Sequence, residues 1–125
     1  MKRSLFGAAL ALATFAISSA VSPAMAAKQD FELVNKTGYD ISHVYVSPTK
    51  SEDWEEDVLG KDVLSDGDAW DIEFDRGDKT CKWDLKVVYA DDNSSAYWRN
   101  IDLCKVEKIT IRYNRKSDTT SATLD

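Results

Sequence analysis

Apolar and polar residues alternate along most of the chain after residue 26, and this alternation limits the possible folds more than any other feature. The clearest example is the segment 81–89, whose odd-numbered residues are Cys81, Trp83, Leu85, Val87 and Tyr89. Successive side chains of a β-strand point to opposite faces, so this period of two predicts a strand with one buried face. Helical periodicity is not evident, and we therefore expect an all-β domain.

The same pattern predicts seven short strands, at 30–35, 39–47, 61–64, 68–75, 81–89, 96–101 and 106–114. Turn-forming residues lie between them, for example in the segment 35–38, where Gly38 can take the positive φ that hairpins require. Many short strands with regular turns favour a small antiparallel β-sandwich, immunoglobulin-like in the broad sense. We expect residues 27–114 to form this domain and residues 115–125, which are mostly polar, to form a disordered tail.

The first 26 residues have the three parts of a cleavable signal peptide. Lys2 and Arg3 give a positive start, residues 5–17 are apolar and uncharged, and the small residues Ala24 and Ala26 precede the expected cleavage position. An uncleaved anchor is the alternative, but a spanning helix needs about 20 continuous apolar residues. The pattern therefore predicts export to the periplasm or the exterior.

Export would leave an acidic domain of 99 residues from the chain of 125. Lys2 and Arg3 are removed with the signal, so 14 of the 16 basic residues remain beside all 22 acidic ones and the formal net charge becomes −8. Phosphate backbones and anionic lipid surfaces repel such a chain. We therefore expect no nucleic-acid partner, no membrane span after cleavage, and a monomer.

The two cysteines, Cys81 and Cys104, both lie in the exported part. An oxidising compartment permits a disulfide between them, which would close a loop of about 24 residues and stabilise the domain by about 3 kcal/mol in the chain-entropy model. A metal pair or a catalytic thiol is the alternative. Neither has support from spacing, because the chain has no C-x-x-C motif and its one histidine is distant in sequence.

The segment 51–57 combines five acidic residues with Trp54. Tryptophan is enriched where binding energy concentrates, so we expect Trp54, Asp53 and Asp57 to contact a partner, either an envelope protein or a glycan. The alternative is that Trp54, together with Val58 and Leu59, covers the open end of the sandwich.

Calcium is a second explanation for the acidic loop. Dense like charge is costly unless a cation neutralises it, and calcium takes six to eight oxygen ligands. The candidate ligands are Asp53, Glu55, Glu56 and Asp57. The loop lacks the ordered spacing of known calcium loops, so we expect no required cofactor, with calcium as the one alternative.

Catalytic motifs are absent from the sequence. There is no nucleophile elbow, no glycine-rich phosphate loop and no histidine pair for zinc. His43 has no partner carboxylate suggested by its spacing, so a hydrolase that uses it is the weakest alternative. We therefore expect a non-catalytic protein.

Four segments together resemble a family of short exported bacterial proteins. They are N-K-T-G-Y-x-I at 35–41, S-P-x-x-S-x-x-W-x-x-D-x-L-G at 47–60, C-x-W-D-L at 81–85 and D-L-C at 102–104. The resemblance implies a periplasmic β-sandwich of unknown function and carries over no active site. Members of this family often bear the label argininosuccinate lyase, but that enzyme is a large helical tetramer that a β-patterned domain of this size cannot build.

Overall fold

The computed structural model describes residues 27–51 and 53–125, so the predicted signal peptide lies outside the described residues. This part of the chain forms seven strands: β1 (Phe31–Lys36), β2 (Ile41–Pro48), β3 (Ala69–Ile72), β4 (Lys82–Tyr89), β5 (Ser95–Asp102), β6 (Lys108–Asn114) and β7 (Thr119–Leu124). A short 3-10 helix, Leu103–Lys105, follows β5. The all-β prediction is confirmed.

The strands form two sheets that pack face to face as a small β-sandwich. One sheet has four strands in the order β3-β1-β6-β7, and the other has three in the order β2-β4-β5. All pairs are antiparallel except β1 and β6, which run parallel with Leu33 opposite Ile109. A parallel pair needs a long connection, and here the chain between β1 and β6 builds β3 and the whole second sheet.

The core lies between the two sheets and follows the alternation in the sequence. Leu33, Ile109 and Ile111 enter it from the four-stranded sheet, while Val44 and Val87 enter it from the other. Each of these side chains is essentially inaccessible to solvent. Burial of a side chain of this kind contributes about 1.5–3 kcal/mol, which makes the core the main source of stability.

A disulfide joins Cys81, directly before β4, to Cys104 in the 3-10 helix after β5. Its S–S distance is 2.04 Å, and the two residues are 23 positions apart. The bridge closes the β4–β5 hairpin at its open end, which confirms the expected pairing. It is compatible with a compartment that permits thiol oxidation.

Two boundaries differ from the sequence-based expectation. Residues 61–64 form no strand, although Leu64 makes an isolated bridge to Ile41. The expected disordered tail is corrected by the structure, because residues 119–124 form β7 and pair with β6 in register from Ile109–Leu124 to Asn114–Thr119. β7 is an edge strand, and its few apolar residues gave only a weak signal in the sequence.

Candidate functional site

The acidic loop between β2 and β3 runs back beside the edge of β2. Ser47 in β2 accepts a hydrogen bond through Oγ from the backbone N–H of Glu55, at 2.8 Å. Further along the loop, Asp57 forms an isolated antiparallel bridge with Tyr45. The loop is therefore fixed to the three-stranded sheet at two points, on either side of Glu56.

The carboxylate of Asp57 points toward the domain, and both of its oxygens accept hydrogen bonds there. Its Oδ1 accepts hydrogen bonds from the backbone N–H groups of Val44 at 2.9 Å and Leu59 at 3.0 Å. Its Oδ2 lies 2.7 Å from Nδ1 of His43, and a carboxylate can only accept, so the imidazole donates. These bonds place Asp57 in a structural role and give His43 the partner that its sequence spacing did not suggest.

The other loop carboxylates point elsewhere. Asp53, Glu55 and Glu56 are exposed. Within the described ranges, no three carboxylates of this loop offer oxygen atoms within 4.8 Å of one another; the one such group there is Cys81, Asp102 and Cys104, whose sulfurs form the disulfide. The geometry thus gives the calcium hypothesis no added support, and calcium binding stays a prediction that titration of the purified domain can test.

Trp54 lies outside the core. Val58 and Leu59 belong to the core or pack against it, but Trp54 is not among the described residues that do so. Its ring instead faces the ammonium of Lys86, which is 5.8 Å from the ring centroid. The alternative in which Trp54 closes the end of the sandwich together with Val58 and Leu59 therefore does not fit this arrangement.

Lys86 is the centre of a row of side chains that crosses the outer face of the three-stranded sheet. It is the register partner of Tyr45 in β2 on one side and of Tyr97 in β5 on the other. Residues directly opposite one another in a sheet project from the same face. We call Trp54, Tyr45, Lys86 and Tyr97 the aromatic row.

The rings of the row differ in exposure, since Tyr45 and Trp54 are partly buried, and each ring lies near a cationic side chain. Tyr97 is 57% exposed. The Arg99 guanidinium lies 5.3 Å from the centroid of the Tyr97 ring, and the Lys86 ammonium lies 5.8 Å from that of Tyr45. The His43 ring stacks on the ring of Tyr45, with an angle of 20° between the two ring planes. The result is a surface of rings separated by cations, in a protein whose net charge is negative.

A bulge in β5 fixes one end of this surface. Arg99 and Asn100 stand opposite the single residue Asp84, and Asn100 takes the left-handed conformation with φ of 61°. Asn tolerates this region better than most residues. The buried Asp84 carboxylate accepts hydrogen bonds from Asn100 N at 2.8 Å, Thr49 Oγ1 at 2.8 Å and Arg99 Nη1 at 3.0 Å. Asp84 thereby holds Arg99 in position over Tyr97.

The sequence identified Trp54 but missed the rest of the row. Tyr45, Lys86 and Tyr97 each occupy an outward position in an alternating strand, which is the only signal available. Alternation gives the face of a residue but not its neighbour in the next strand. The row therefore emerges only when the order β2-β4-β5 and its register are known.

Comparison of the chain with protein-family models, with curated proteins and with solved structures finds no match in any of the three. In the part of the chain that the structure describes, no helix has the length and apolar character required to cross a membrane.

Proposed function

We propose that this protein is an exported, non-catalytic binding module whose ligand is a glycan lying across the aromatic row. The observation that carries the proposal is the register that aligns Tyr45, Lys86 and Tyr97 on the exposed face of one sheet. Export rests on the amino-terminal sequence, and the disulfide supports it.

The spacing of the strands that carry the two rings suits a saccharide chain. Tyr45 and Tyr97 are separated by two strand spacings, about 9.6 Å, which is close to the length of a disaccharide. The C–H groups of a sugar ring pack against the negative face of an aromatic ring. The Lys86 ammonium between the two rings can donate hydrogen bonds to sugar hydroxyls.

The composition of the row favours a glycan over a protein. The buried centre of a protein–protein interface is typically depleted in charged residues. Here Lys86, a residue type that is depleted at such centres, occupies the middle of the row with its three N–H donors. A partner with many hydroxyl groups can satisfy these donors without a costly loss of hydration.

The experiment is binding of the purified mature domain to insoluble chitin, cellulose and peptidoglycan, followed by titration with soluble oligosaccharides of the polymer that retains it. We expect Tyr97→Ala and Trp54→Ala each to weaken binding by about tenfold, since a ring contact contributes on the order of 1 kcal/mol or more. Val63→Ala is the matched control, because Val63 is 49% exposed but outside the row. Equal binding by wild type and both row variants, or no retention of the wild type, would refute the proposal.

A further inference from the structure

A second concave surface lies at one end of the sandwich, where the β4–β5 and β6–β7 turns come together. It is a cavity of about 350 Å³ that shares no residue with the aromatic row. Asp91 and Asp92 contribute from the first turn, while Asp118 contributes from the second. Asn93 and Asp118 take left-handed backbone conformations, which shape the two turns.

Three tyrosines line the inner part of this cavity: Tyr39, Tyr89 and Tyr113. Their ring centroids are 6.2 Å apart for Tyr39 and Tyr89, 5.6 Å for Tyr39 and Tyr113, and 6.1 Å for Tyr89 and Tyr113. The corresponding angles between ring planes are 81°, 80° and 65°. The three rings are thus steeply inclined to one another, as the walls of an aromatic cage are.

Hydrogen bonds fix two of the three rings. The Tyr113 hydroxyl donates to Oδ1 of Asp118 at 2.6 Å, and the Tyr89 hydroxyl bonds to Oγ1 of Thr120 at 2.7 Å. Thr120 lies in β7, and Asp118 directly precedes this strand. The cage is therefore preorganised, which reduces the entropy lost on binding a ligand.

The carboxylates around the cage form no ion pair in the part of the chain that the structure describes. None of Asp91, Asp92 and Asp118 takes part in any salt bridge found among residues 27–51 and 53–125. Asp92 accepts hydrogen bonds from the N–H and hydroxyl of Ser94, which stabilise its negative charge without neutralising it. The cavity thus combines three tyrosine side chains, of which Tyr39 and Tyr113 are partly exposed and Tyr89 is 6% exposed, with three formal negative charges.

We propose that this cavity binds a small organic cation with an alkylated ammonium head group. Ring faces attract a cation through the ring quadrupole, and cages of this kind suit quaternary ammonium groups because such groups are large and weakly hydrated. The carboxylates add long-range attraction and repel anions.

The test is titration of the isotope-labelled mature domain with choline and with tetramethylammonium, followed by NMR. The expected result is saturable shift changes at millimolar concentration in Ser94, Ala96 and Thr120, which line the cavity. The matched ligand control is 3,3-dimethyl-1-butanol, a neutral isostere of choline with nearly the same shape. It should bind at least tenfold more weakly, because it lacks the charge.

Variants separate the cage from the acidic turns. Tyr113→Leu should weaken choline binding by about tenfold or more, whereas Tyr113→Phe, which keeps the ring but loses the hydrogen bond to Asp118, should weaken it less than Tyr113→Leu does. The double variant Asp91→Asn with Asp92→Asn changes only exposed side chains, so its affinity for choline can be measured even if Tyr113→Leu fails to fold. It should also weaken binding, while Glu73→Gln, an exposed carboxylate at the opposite end of the sandwich, should not.

The proposal is overturned by equal affinity for choline and its neutral isostere, by wild-type affinity in both the Tyr113→Leu and the double Asn variant, or by no response to choline. None of these results bears on glycan binding at the aromatic row, because the two sites have different residues and different ligands.

Discussion

His43 donates a hydrogen bond from Nδ1 to Oδ2 of Asp57 across 2.7 Å, and this pair closes the acidic loop onto β2. The imidazole is the more exposed partner, with 44% of its side chain accessible against 15% for Asp57. The Asp57 carboxylate also accepts hydrogen bonds from the backbone N–H groups of Val44 and Leu59. It therefore accepts three hydrogen bonds, of which His43 donates one.

Asp57→Ala should destabilise the domain by about 2–3 kcal/mol, because it leaves two backbone donors without their acceptor. His43→Ala should cost less than about 1 kcal/mol, since it removes one partly exposed partner and leaves the other bonds of Asp57 in place. Urea denaturation followed by fluorescence measures both. Equal, small losses in the two variants would show that the loop is not held by this carboxylate.

Asp57 also illustrates what the sequence could and could not predict. The acidic loop was recognised from its composition, and Asp57 was expected to face a partner or a cation. Charge density along the chain carries no information on which carboxylate turns inward. That choice depends on the backbone N–H groups of Val44 and Leu59, which both donate to Oδ1 of Asp57.

The fold was predictable to the extent that it follows from alternation. The inward faces of β2 and β4 and the Cys81–Cys104 pairing were inferred correctly because each rests on local sequence or on a choice between two cysteines. The parallel β1–β6 pair was not, because it joins segments more than 70 residues apart and a period of two does not specify the neighbouring strand. Strand order also decides which outward side chains meet, so the aromatic row was equally inaccessible.

For Asp84, alternation predicted the correct face of the sheet but not the burial of the side chain. It lies on the outer side of β4, as alternation predicts, but the β5 bulge and Thr49 cover it until its side chain is only 3% exposed. Asp84→Ala should therefore cost about 3 kcal/mol, because it leaves the Asn100 N–H and the Thr49 hydroxyl without their acceptor.

The matched control for Asp84→Ala is Lys82→Ala, two residues earlier on the same face and exposed. It should change the free energy of unfolding by less than about 0.5 kcal/mol. Thermal or urea unfolding distinguishes the two. Similar losses in both would mean that the bulge does not depend on Asp84.

Deletion of residues 119–125 tests whether the end of the chain is a strand or a tail. In the structure this segment covers the edge of β6, and Asp125 exchanges backbone hydrogen bonds with Lys108. Its removal should expose β6, lower the urea midpoint markedly and increase aggregation, because an unpaired strand edge is a template for association. An unchanged midpoint would restore the interpretation of a disordered tail.

Alkaline titration tests the contact between Tyr113 and Asp118. The hydrogen bond to the Asp118 carboxylate, the largest cause, raises the pKa of Tyr113 from 10.0 to about 12, and burial raises the pKa of Tyr89. Folding therefore favours the neutral phenols, and the contribution of Tyr113 to stability is complete below pH 10.0 and is lost as the pH rises through about 12. Absorbance of tyrosinate should show a last ionisation step that Tyr113→Phe removes and that Asp118→Asn shifts to lower pH. If that step persists in Tyr113→Phe, the proton belongs to another group, and the hydrogen bond that orients the Tyr113 ring in the cage is not formed in solution.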